Sequence, residues 1–220
     1  MELEKRLGAL TESKSTQPLF IFDMGGVVTK WKNNDPLVKF VADRYEVPFG
    51  RMKQVMEEGL VEFESGGLSS HDYIATCLRR VGKKMKKGDD ADWLLTFPIQ
   101  RLARLRRGTV EIIRLLRHRG YRVYALSNTS PPHVEMGRRL GWDTLFDGLF
   151  ASCEIGAVKP SRRAYQHVLK QVGAPPNQAV FIDDNEANVV GAVRVGIKRS
   201  FQFRSVLQLR RDIAGILRET

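Results

Sequence analysis

Short apolar runs, rich in β-branched and aromatic residues, recur along the chain and predict five strands. They cover residues 19–22, 122–126, 149–151, 180–182 and 197–201. Unbroken apolar runs of this kind are typical of parallel strands, because both faces of such a sheet are covered. Most runs are separated by stretches with apolar residues at helical spacing. Strands that alternate with helices predict an α/β fold with a doubly wound parallel sheet.

Helix start and stop residues support this alternation. Thr109 is predicted to cap a helix that stops near Gly120, and Ser161 to open one that ends at Gly173. The tail at 205–218 is predicted to be a closing helix. Its apolar face is formed by Val206, Leu209, Ile213 and Leu217.

The interval between the first and second predicted strands contains helical patterns and no convincing strand. Helices are predicted at 35–45, 49–63 and 91–99, and Ser69 is predicted to cap another, with Asp72 three residues later. We therefore predict a small α-helical cap over residues 34–100, inserted into a core of residues 18–33 and 101–220. Residues 1–17 form an N-terminal extension in this scheme.

Polar residues and glycines follow the first two predicted strands. The first strand is followed by Asp23, Gly25 and Gly26, and the second by Ser127 and Asn128. Ligands of such sheets bind beyond the carboxyl ends of the strands, where these residues should lie. A carboxylate there can attack an electrophilic centre, glycine amides can approach an anion, and hydroxyl and amide groups can donate to its oxygens.

Charged residues follow the later strands. Lys159 stands in the loop after the third strand, and Asp183 and Asp184 follow the fourth. At one sheet edge Asp23 and Asp184 would repel each other unless a cation lay between them. Because hard oxygen ligands suit Mg²⁺, the sequence predicts a magnesium site there.

The ordered set resembles the four motifs of the haloacid dehalogenase superfamily. The matching segments are residues 22–28, 126–129, 159–160 and 181–185, within a similarity that spans about residues 19–203. The helical insertion is similar to the small cap of the family's first subgroup. The motifs are closest in style to sugar-phosphate phosphatases and to the phosphatase domain of soluble epoxide hydrolase. The resemblance implies a magnesium-dependent phosphatase that hydrolyses a small phosphate monoester, such as a sugar phosphate, through an aspartyl-phosphate.

The resemblance also implies roles for individual residues. Asp23 is the nucleophile, and Ser127 and Lys159 hold the transferring phosphoryl group. Asp23, the Gly25 carbonyl and Asp184 are the metal ligands, and their orientation depends on Asp183 and Asn188. The residues expected to contact the substrate are Gly25, Gly26, Asn128 and Trp31, although Trp31 could instead pack at the hinge to the cap.

One position departs from the family pattern. Most of its phosphatases carry a second Asp two residues after the nucleophile, as general acid and then base, whereas this chain has Gly25. General acid–base help is worth about 10²- to 10⁴-fold in rate. The departure predicts a slower enzyme, a preference for good leaving groups, or another acid. A positive φ at Gly25 would also oppose an aspartate there.

Two other functions remain open at this point. A 2-haloacid dehalogenase uses the same nucleophile without a metal and also lacks the second Asp, but the acidic pair at 183–184 favours a metal site. A non-catalytic phosphate-binding or interaction protein is consistent with Gly25 and with the net charge of +11. Retention of Asp23, Lys159 and Asp184 argues against it.

The amino-acid composition indicates which classes of binding partner to expect. A hydrophobic content of 42% over 220 residues suits a buried core. The basic runs at 83–87 and 101–107 lack interleaved aromatic residues, so we expect a solvated basic face and no nucleic-acid partner. The expected partner is a small phosphorylated metabolite, and the oligomeric state stays open.

The sequence also gives expectations for the cellular location of the protein and for its cysteines and histidines. No apolar run approaches the roughly 20 residues that span a bilayer, and no secretory signal is evident, so a cytoplasmic protein without membrane association is expected. Cys77 and Cys153 are expected to be reduced thiols. The histidines are expected to be structural or to face solvent; they are His71, His118, His133 and His167.

Overall fold

The computed structural model describes residues 17–100 and 103–218 of the chain, so the predicted extension at 1–17 lies outside it except for Gln17. Five parallel strands form one sheet in the order β3-β2-β1-β4-β5. The strands are β1 (Leu19–Phe22), β2 (Val123–Ser127), β3 (Gly148–Ala151), β4 (Ala179–Asp183) and β5 (Arg199–Gln202). The predicted doubly wound α/β fold is confirmed.

The central strands are buried on both faces, as their unbroken apolar sequences require. Every residue of β1 and β4 is buried. Alternate residues of these strands belong to different apolar clusters, because successive side chains point to opposite faces of the sheet. In register, Phe22 pairs with Ala125 of β2 and with Ile182 of β4. The residue after β1 therefore lies between the ends of its two neighbours.

Helices cover both faces of this sheet. They are α5 (Arg107–His118), α6 (Pro131–Arg139), α7 (Ser152–Ile155), α8 (Arg162–Gln171), α9 (Glu186–Arg194) and α10 (Val206–Ile216). The predicted apolar face of the tail helix is confirmed, with Leu209 and Ile213 buried and Val206 and Leu217 packed beside them. None of the helices within 17–100 and 103–218 has the length and apolar character to cross a bilayer.

Four helices within residues 34–100 lie between β1 and β2, in the interval predicted to form a cap. They are α1 (Asp35–Tyr45), α2 (Phe49–Glu64), α3 (Ser70–Arg80) and α4 (Ala91–Gln100). Ser69 caps α3 as predicted, because its hydroxyl accepts from the Asp72 N–H at 3.0 Å. These helices share an apolar cluster that also takes in Met136 of α6. The cap boundaries at 34 and 100 stay a prediction.

Two segments connect cap and core side by side. Thr29 and Leu105 form an antiparallel bridge, the Lys30 N–H donates to Arg104 O at 2.8 Å, and the Arg106 N–H donates to Val28 O at 2.7 Å. The entry to the cap and the exit from it are therefore hydrogen-bonded to each other.

The structure corrects two details of the prediction. Helix α5 begins at Arg107 and not at Thr109, which is buried in the first turn. Gly108 lies in this turn, and a Cβ at that position would lie 2.6 Å from Val206 Cγ1, so close packing on α10 explains the glycine. Strand β5 begins two residues after the predicted start, because the N–H of buried Ile197 donates to Ala192 O at the end of α9.

Candidate active site

The predicted strand-end residues line one cavity at the carboxyl edge of the sheet. The Asp23 N–H donates to Ile182 O of β4 at 2.8 Å, which fixes Asp23 directly beyond β1. Side chains that follow β1, β2 and β4 share the crevice, because β1 lies between the other two. The cavity has a volume of 340 Å³, and its lining includes Asp23, Gly25, Trp31, Ser127, Asn128, Lys159, Asp183, Asp184 and Asn188.

A buried lysine joins the two carboxylates at the cavity floor. Lys159 Nζ lies 2.6 Å from Asp23 Oδ1 and 2.7 Å from Asp183 Oδ2, and it also donates to Leu126 O at 2.8 Å. Burial alone would lower the pKa of Lys159, but the two carboxylates outweigh burial and raise that pKa. The ammonium group is therefore a fixed positive charge beside Asp23.

Asn128 positions this lysine. Its side-chain amide donates to Lys159 O at 2.8 Å and its Oδ1 accepts from the Lys159 N–H at 2.8 Å, a reciprocal pair across 31 residues of chain. We predicted that Asn128 donates to substrate oxygens, and the structure engages its amide with the lysine backbone. Ser127, at the end of β2, is buried and lines the cavity, where its hydroxyl is placed to donate to a bound anion.

Asp183 is surrounded by donors. Its carboxylate accepts from Lys159 Nζ, from Asn188 Nδ2 at 3.0 and 3.1 Å, and from the Asn185 N–H at 2.9 Å. A carboxylate with this many partners is held in one orientation. These contacts support the predicted orienting roles of Asp183 and Asn188.

Three carboxylates meet at the cavity floor, and Lys159 contacts two of them, Asp23 and Asp183. One oxygen from each of Asp23, Asp183 and Asp184 lies within 4.8 Å of the others. Burial raises the pKa of Asp23 to about 7; Lys159 opposes this effect and Asp183 adds to it. Burial, with help from Asp183, also raises the pKa of Asp184. This concentration of negative charge on oxygen ligands, two of them buried and one half-buried, fits a hard divalent cation such as Mg²⁺.

The two glycines after the nucleophile differ in conformation. Gly25 has φ −67° and ψ 128°, which any residue adopts, so the expectation of a positive φ there is wrong. Gly26 has φ 73°, and a Cβ on it would lie 2.1 Å from Asp184 Oδ2. Its N–H donates to Trp31 O at 2.6 Å, which engages the amide that we predicted to approach the substrate. Gly26 is needed for close packing against Asp184.

Trp31 and His133 form a wall of the cavity at the seam between cap and core. Their rings pack edge to face with centroids 4.9 Å apart. His133 Nε2 lies 3.0 Å from Leu95 O of the cap helix α4, and Nδ1 lies 3.0 Å from Ser130 Oγ. Burial lowers the pKa of His133 to about 4. The neutral ring therefore donates to the cap carbonyl and accepts from the serine, a link between cap and core that the sequence did not reveal.

The cap also contributes an acid that sequence reasoning missed. Glu64, the last residue of α2, lines the cavity together with Leu60 of the same helix. Burial raises the pKa of Glu64 to about 7, and the charge of Lys159 lowers it. The available signal was a carboxylate placed directly before the turn at Gly66 and Gly67, but a turn glutamate is commonly a solvated residue.

Comparison with known proteins finds matches over most of the chain. The family of haloacid dehalogenase-like hydrolases matches residues 18–196. Over 181 residues the chain is 32% identical to the sesquiterpene phosphatase AstK of Aspergillus oryzae, covering 80% of this chain and 85% of that protein.

Solved structures share the fold. A family enzyme from Bacteroides thetaiotaomicron, in complex with magnesium and inorganic phosphate, superposes with a TM-score of 0.70 at 19% identity, covering 86% of this chain and 94% of that one. An L-2-haloacid dehalogenase superposes with a TM-score of 0.59 at 17% identity, covering 85% and 86%. At these identities the likeness concerns the fold alone. With a family match over most of its length, the chain belongs to the haloacid dehalogenase-like hydrolases.

Proposed function

We propose that this protein is a magnesium-dependent phosphatase that hydrolyses a small phosphate monoester through an aspartyl-phosphate on Asp23. The observation that carries the proposal is the cavity floor, where Asp23 Oδ1 lies 2.6 Å from Lys159 Nζ within a cluster of three carboxylates. A carboxylate nucleophile beside a fixed cation suits attack on an anionic phosphoryl group.

In this proposal Asp23 attacks phosphorus in line with the departing ester oxygen. Lys159 and Ser127 stabilise the negative charge on the transferring oxygens, and both are buried at the cavity floor. Little covalent chemistry is required of the protein, because phosphoryl transfer is accelerated mainly by positioning and charge. Water then attacks the phosphorus of the acyl-phosphate and releases Asp23.

The residues that would hold magnesium are Asp23, Asp184 and the backbone carbonyl of Gly25. Bound there, the ion would neutralise charge on the phosphoryl oxygens. Asp183 would orient these ligands indirectly and would not bind the ion itself, because its carboxylate oxygens already accept hydrogen bonds from Lys159 and Asn188. The magnesium requirement is supported by the excess negative charge of the carboxylate cluster.

The cavity walls support a leaving group with an apolar portion. Beyond the polar floor, the lining includes Trp31, Leu60, Val134, Met136, Trp142 and Leu149. Burial of a hydrocarbon group against these walls would favour substrate binding by roughly 25 cal/mol per Å² of apolar surface removed from water. The relative named a sesquiterpene phosphatase is consistent with an apolar substrate. The sugar phosphate predicted from the sequence remains the alternative, and the cytoplasmic location also stays a prediction.

The phosphatase and dehalogenase functions differ in their need for a metal. A panel of prenyl, sugar and aryl phosphates, assayed for released phosphate beside 2-haloacids assayed for released halide, separates the two. We expect phosphate release that a chelator abolishes and Mg²⁺ restores, and prenyl phosphates to exceed sugar phosphates in kcat/KM. Halide release in excess chelator would favour the dehalogenase, and no turnover of any compound would favour a binding protein.

A further inference from the structure

Glu64 lies at the junction of two cavities. It lines the active-site cavity of 340 Å³ and also a cavity of 270 Å³ inside the cap. The cap cavity is lined largely by apolar side chains, among them Leu37, Val38, Met56, Phe63 and Leu95. A substrate with its phosphate at Asp23 and its apolar portion in the cap would pass Glu64, which lines both cavities.

The turn that carries Glu64 is packed tightly on the core. Gly66 has φ 78°, and a Cβ on it would lie 2.3 Å from Cys153 O of α7. In addition, the Ser152 hydroxyl donates to Glu64 O at 2.5 Å. These contacts hold the end of α2 against the edge of the sheet, so Glu64 does not depend on a further closure to reach the cavity.

The carboxyl group of Glu64 is available to a ligand. Its backbone carbonyl accepts from Ser152, but within residues 17–100 and 103–218 no side chain or N–H group is hydrogen-bonded or ion-paired to its carboxyl oxygens. The carboxylates of Asp23 and Asp183, by contrast, accept from Lys159, and that of Asp183 also accepts from Asn188. Glu64 is therefore an acid of this cavity that the nucleophile and the cation site do not use.

We propose that Glu64 is the general acid that protonates the leaving oxygen, in the role that an aspartate at position 25 would otherwise fill. The inference rests on the proposed phosphatase function. It is consistent with the open space beside Gly25, where an added Cβ would have only ordinary contacts, the nearest being Trp31 O at 3.5 Å. The proton donor has moved from the nucleophile loop to the cap.

The step balances without another reactant. As the Asp23 oxygen forms a bond to phosphorus, the bond from phosphorus to the ester oxygen breaks, and that oxygen takes the proton of the Glu64 carboxyl group and departs as an alcohol. The resulting Glu64 carboxylate accepts a proton from the water that attacks the acyl-phosphate. Phosphate leaves, and both Asp23 and protonated Glu64 are regenerated.

The environment of Glu64 suits both halves of this cycle. Burial raises its pKa to about 7 and Lys159 opposes the shift, so both protonation states are populated near neutral pH. Two further titratable groups lie near it, Tyr73 of α3 and Cys153 of α7, and burial raises the pKa of each. Both stay neutral near pH 7 and do not displace the proton.

The test compares kcat/KM for an alkyl and an aryl phosphate, since kcat/KM reports the step that releases the alcohol and not the later hydrolysis of the acyl-phosphate. Glu64→Gln should lose about 10²- to 10⁴-fold on butyl phosphate and only a few-fold on p-nitrophenyl phosphate, whose leaving group needs little protonation. Glu64→Asp should retain more butyl phosphate activity than Glu64→Gln. The matched control, Glu62→Gln, changes an exposed glutamate of the same helix and should leave both values unchanged.

The outcomes separate the inference from the function on which it rests. Equal losses by Glu64→Gln on both esters, or no loss on either, would overturn the general-acid role while leaving the phosphatase intact. Absence of aryl phosphate hydrolysis by the unaltered protein would overturn the proposed function and this inference with it. Restoration of butyl phosphate activity by Gly25→Asp in the Glu64→Gln background would support the role.

Discussion

The sheet edge and the cap contribute to the same cavity in different ways. At the edge, buried Lys159 lies between Asp23 and Asp183 and forms an ion pair with each. The cap contributes Leu60 and the carboxylate of Glu64 to this cavity, and most of the apolar lining of the neighbouring 270 Å³ cavity. Most apolar walls of the active-site cavity, such as Trp142 and Leu149, belong to the core. In our proposal the core carries out phosphoryl transfer, while the cap accommodates part of the leaving group and protonates it.

The largest expected effect tests the core side of this comparison. Asp23→Asn keeps the shape of the side chain and removes the nucleophile, so turnover of every phosphate ester should fall by about 10³-fold or more. Stability should be retained, because burial disfavours the charged carboxylate that the change removes. Steady-state kinetics and thermal unfolding measure both, with Asp43→Asn as an exposed control. Phosphate release at the unaltered rate would contradict the mechanism.

A second effect concerns the buried charges themselves. Lys159→Met removes the shared cation of the buried carboxylates Asp23 and Asp183, and only the neutral donors of Asn185 and Asn188 then remain for Asp183. The free energy of unfolding should fall by about 3 to 5 kcal/mol at pH 7, as for other broken buried pairs. Urea unfolding measures it, and Lys170→Met, at an exposed position, is the control. An unchanged midpoint would mean that the lysine contributes nothing net to folding.

The site residues of the core were predictable because the position of each depends on a short local sequence pattern. The run that forms β1 ends at Phe22, so the position of Asp23 at the sheet edge follows from parallel-sheet geometry. The same holds for Ser127 at the end of β2 and for Asp183 at the end of β4. The lysine was harder, since its place depends on the reciprocal contact with Asn128, which lies far from it in sequence.

The cap side of the site was not predictable in the same way. Helical periodicity located α1 to α4, but periodicity does not say which helix end points at the sheet edge. Glu64 reaches the cavity because Gly66 allows the turn to pack on Cys153, a contact between residues almost ninety positions apart. His133 faces Leu95 for an equally non-local reason. Such contacts depend on tertiary packing, which local patterns do not encode.

A third effect tests the seam between the two regions. The pKa of buried His133 is about 4, against 6.5 for the free side chain, so the unfolded chain binds the additional proton between those values. The neutral ring therefore makes its full contribution to the free energy of unfolding above pH 6.5 and loses it as the pH falls toward 4. Between pH 7 and pH 4.5 this loss is about 2 to 3 kcal/mol.

The measurement is the free energy of unfolding at both pH values, for the unaltered chain and for His133→Gln. The variant should lose less stability on acidification, by roughly the amount just given. His118→Gln, at an exposed position, is the control and should keep the slope of the unaltered chain. Equal slopes for all three proteins would show that His133 is not held neutral at the seam.

The smallest expected effect is that of Gly25→Asp, which adds a carboxylate of the core to a cavity that already contains Glu64 of the cap. Gly25 has an ordinary backbone conformation, and an added Cβ would lie 3.5 Å from Trp31 O and 3.9 Å from Asp23 Oδ2, so Gly25→Asp should fold. Gly26→Ala is the contrasting control, because its Cβ would lie 2.1 Å from Asp184 Oδ2 in a left-handed backbone. We expect the Gly26 variant to lose activity on all esters.

With Glu64 present, Gly25→Asp should raise kcat/KM for butyl phosphate no more than a few-fold, because the proton already has a donor and the new charge repels Asp23 and the substrate. With Glu64→Gln the same change should gain far more, about 10-fold or above, and only on esters with poor leaving groups. The dependence of the gain on Glu64 is the informative quantity. An equally large gain on butyl phosphate with and without Glu64 would contradict the general-acid role of Glu64. The cap would then contribute only apolar contacts to the reaction.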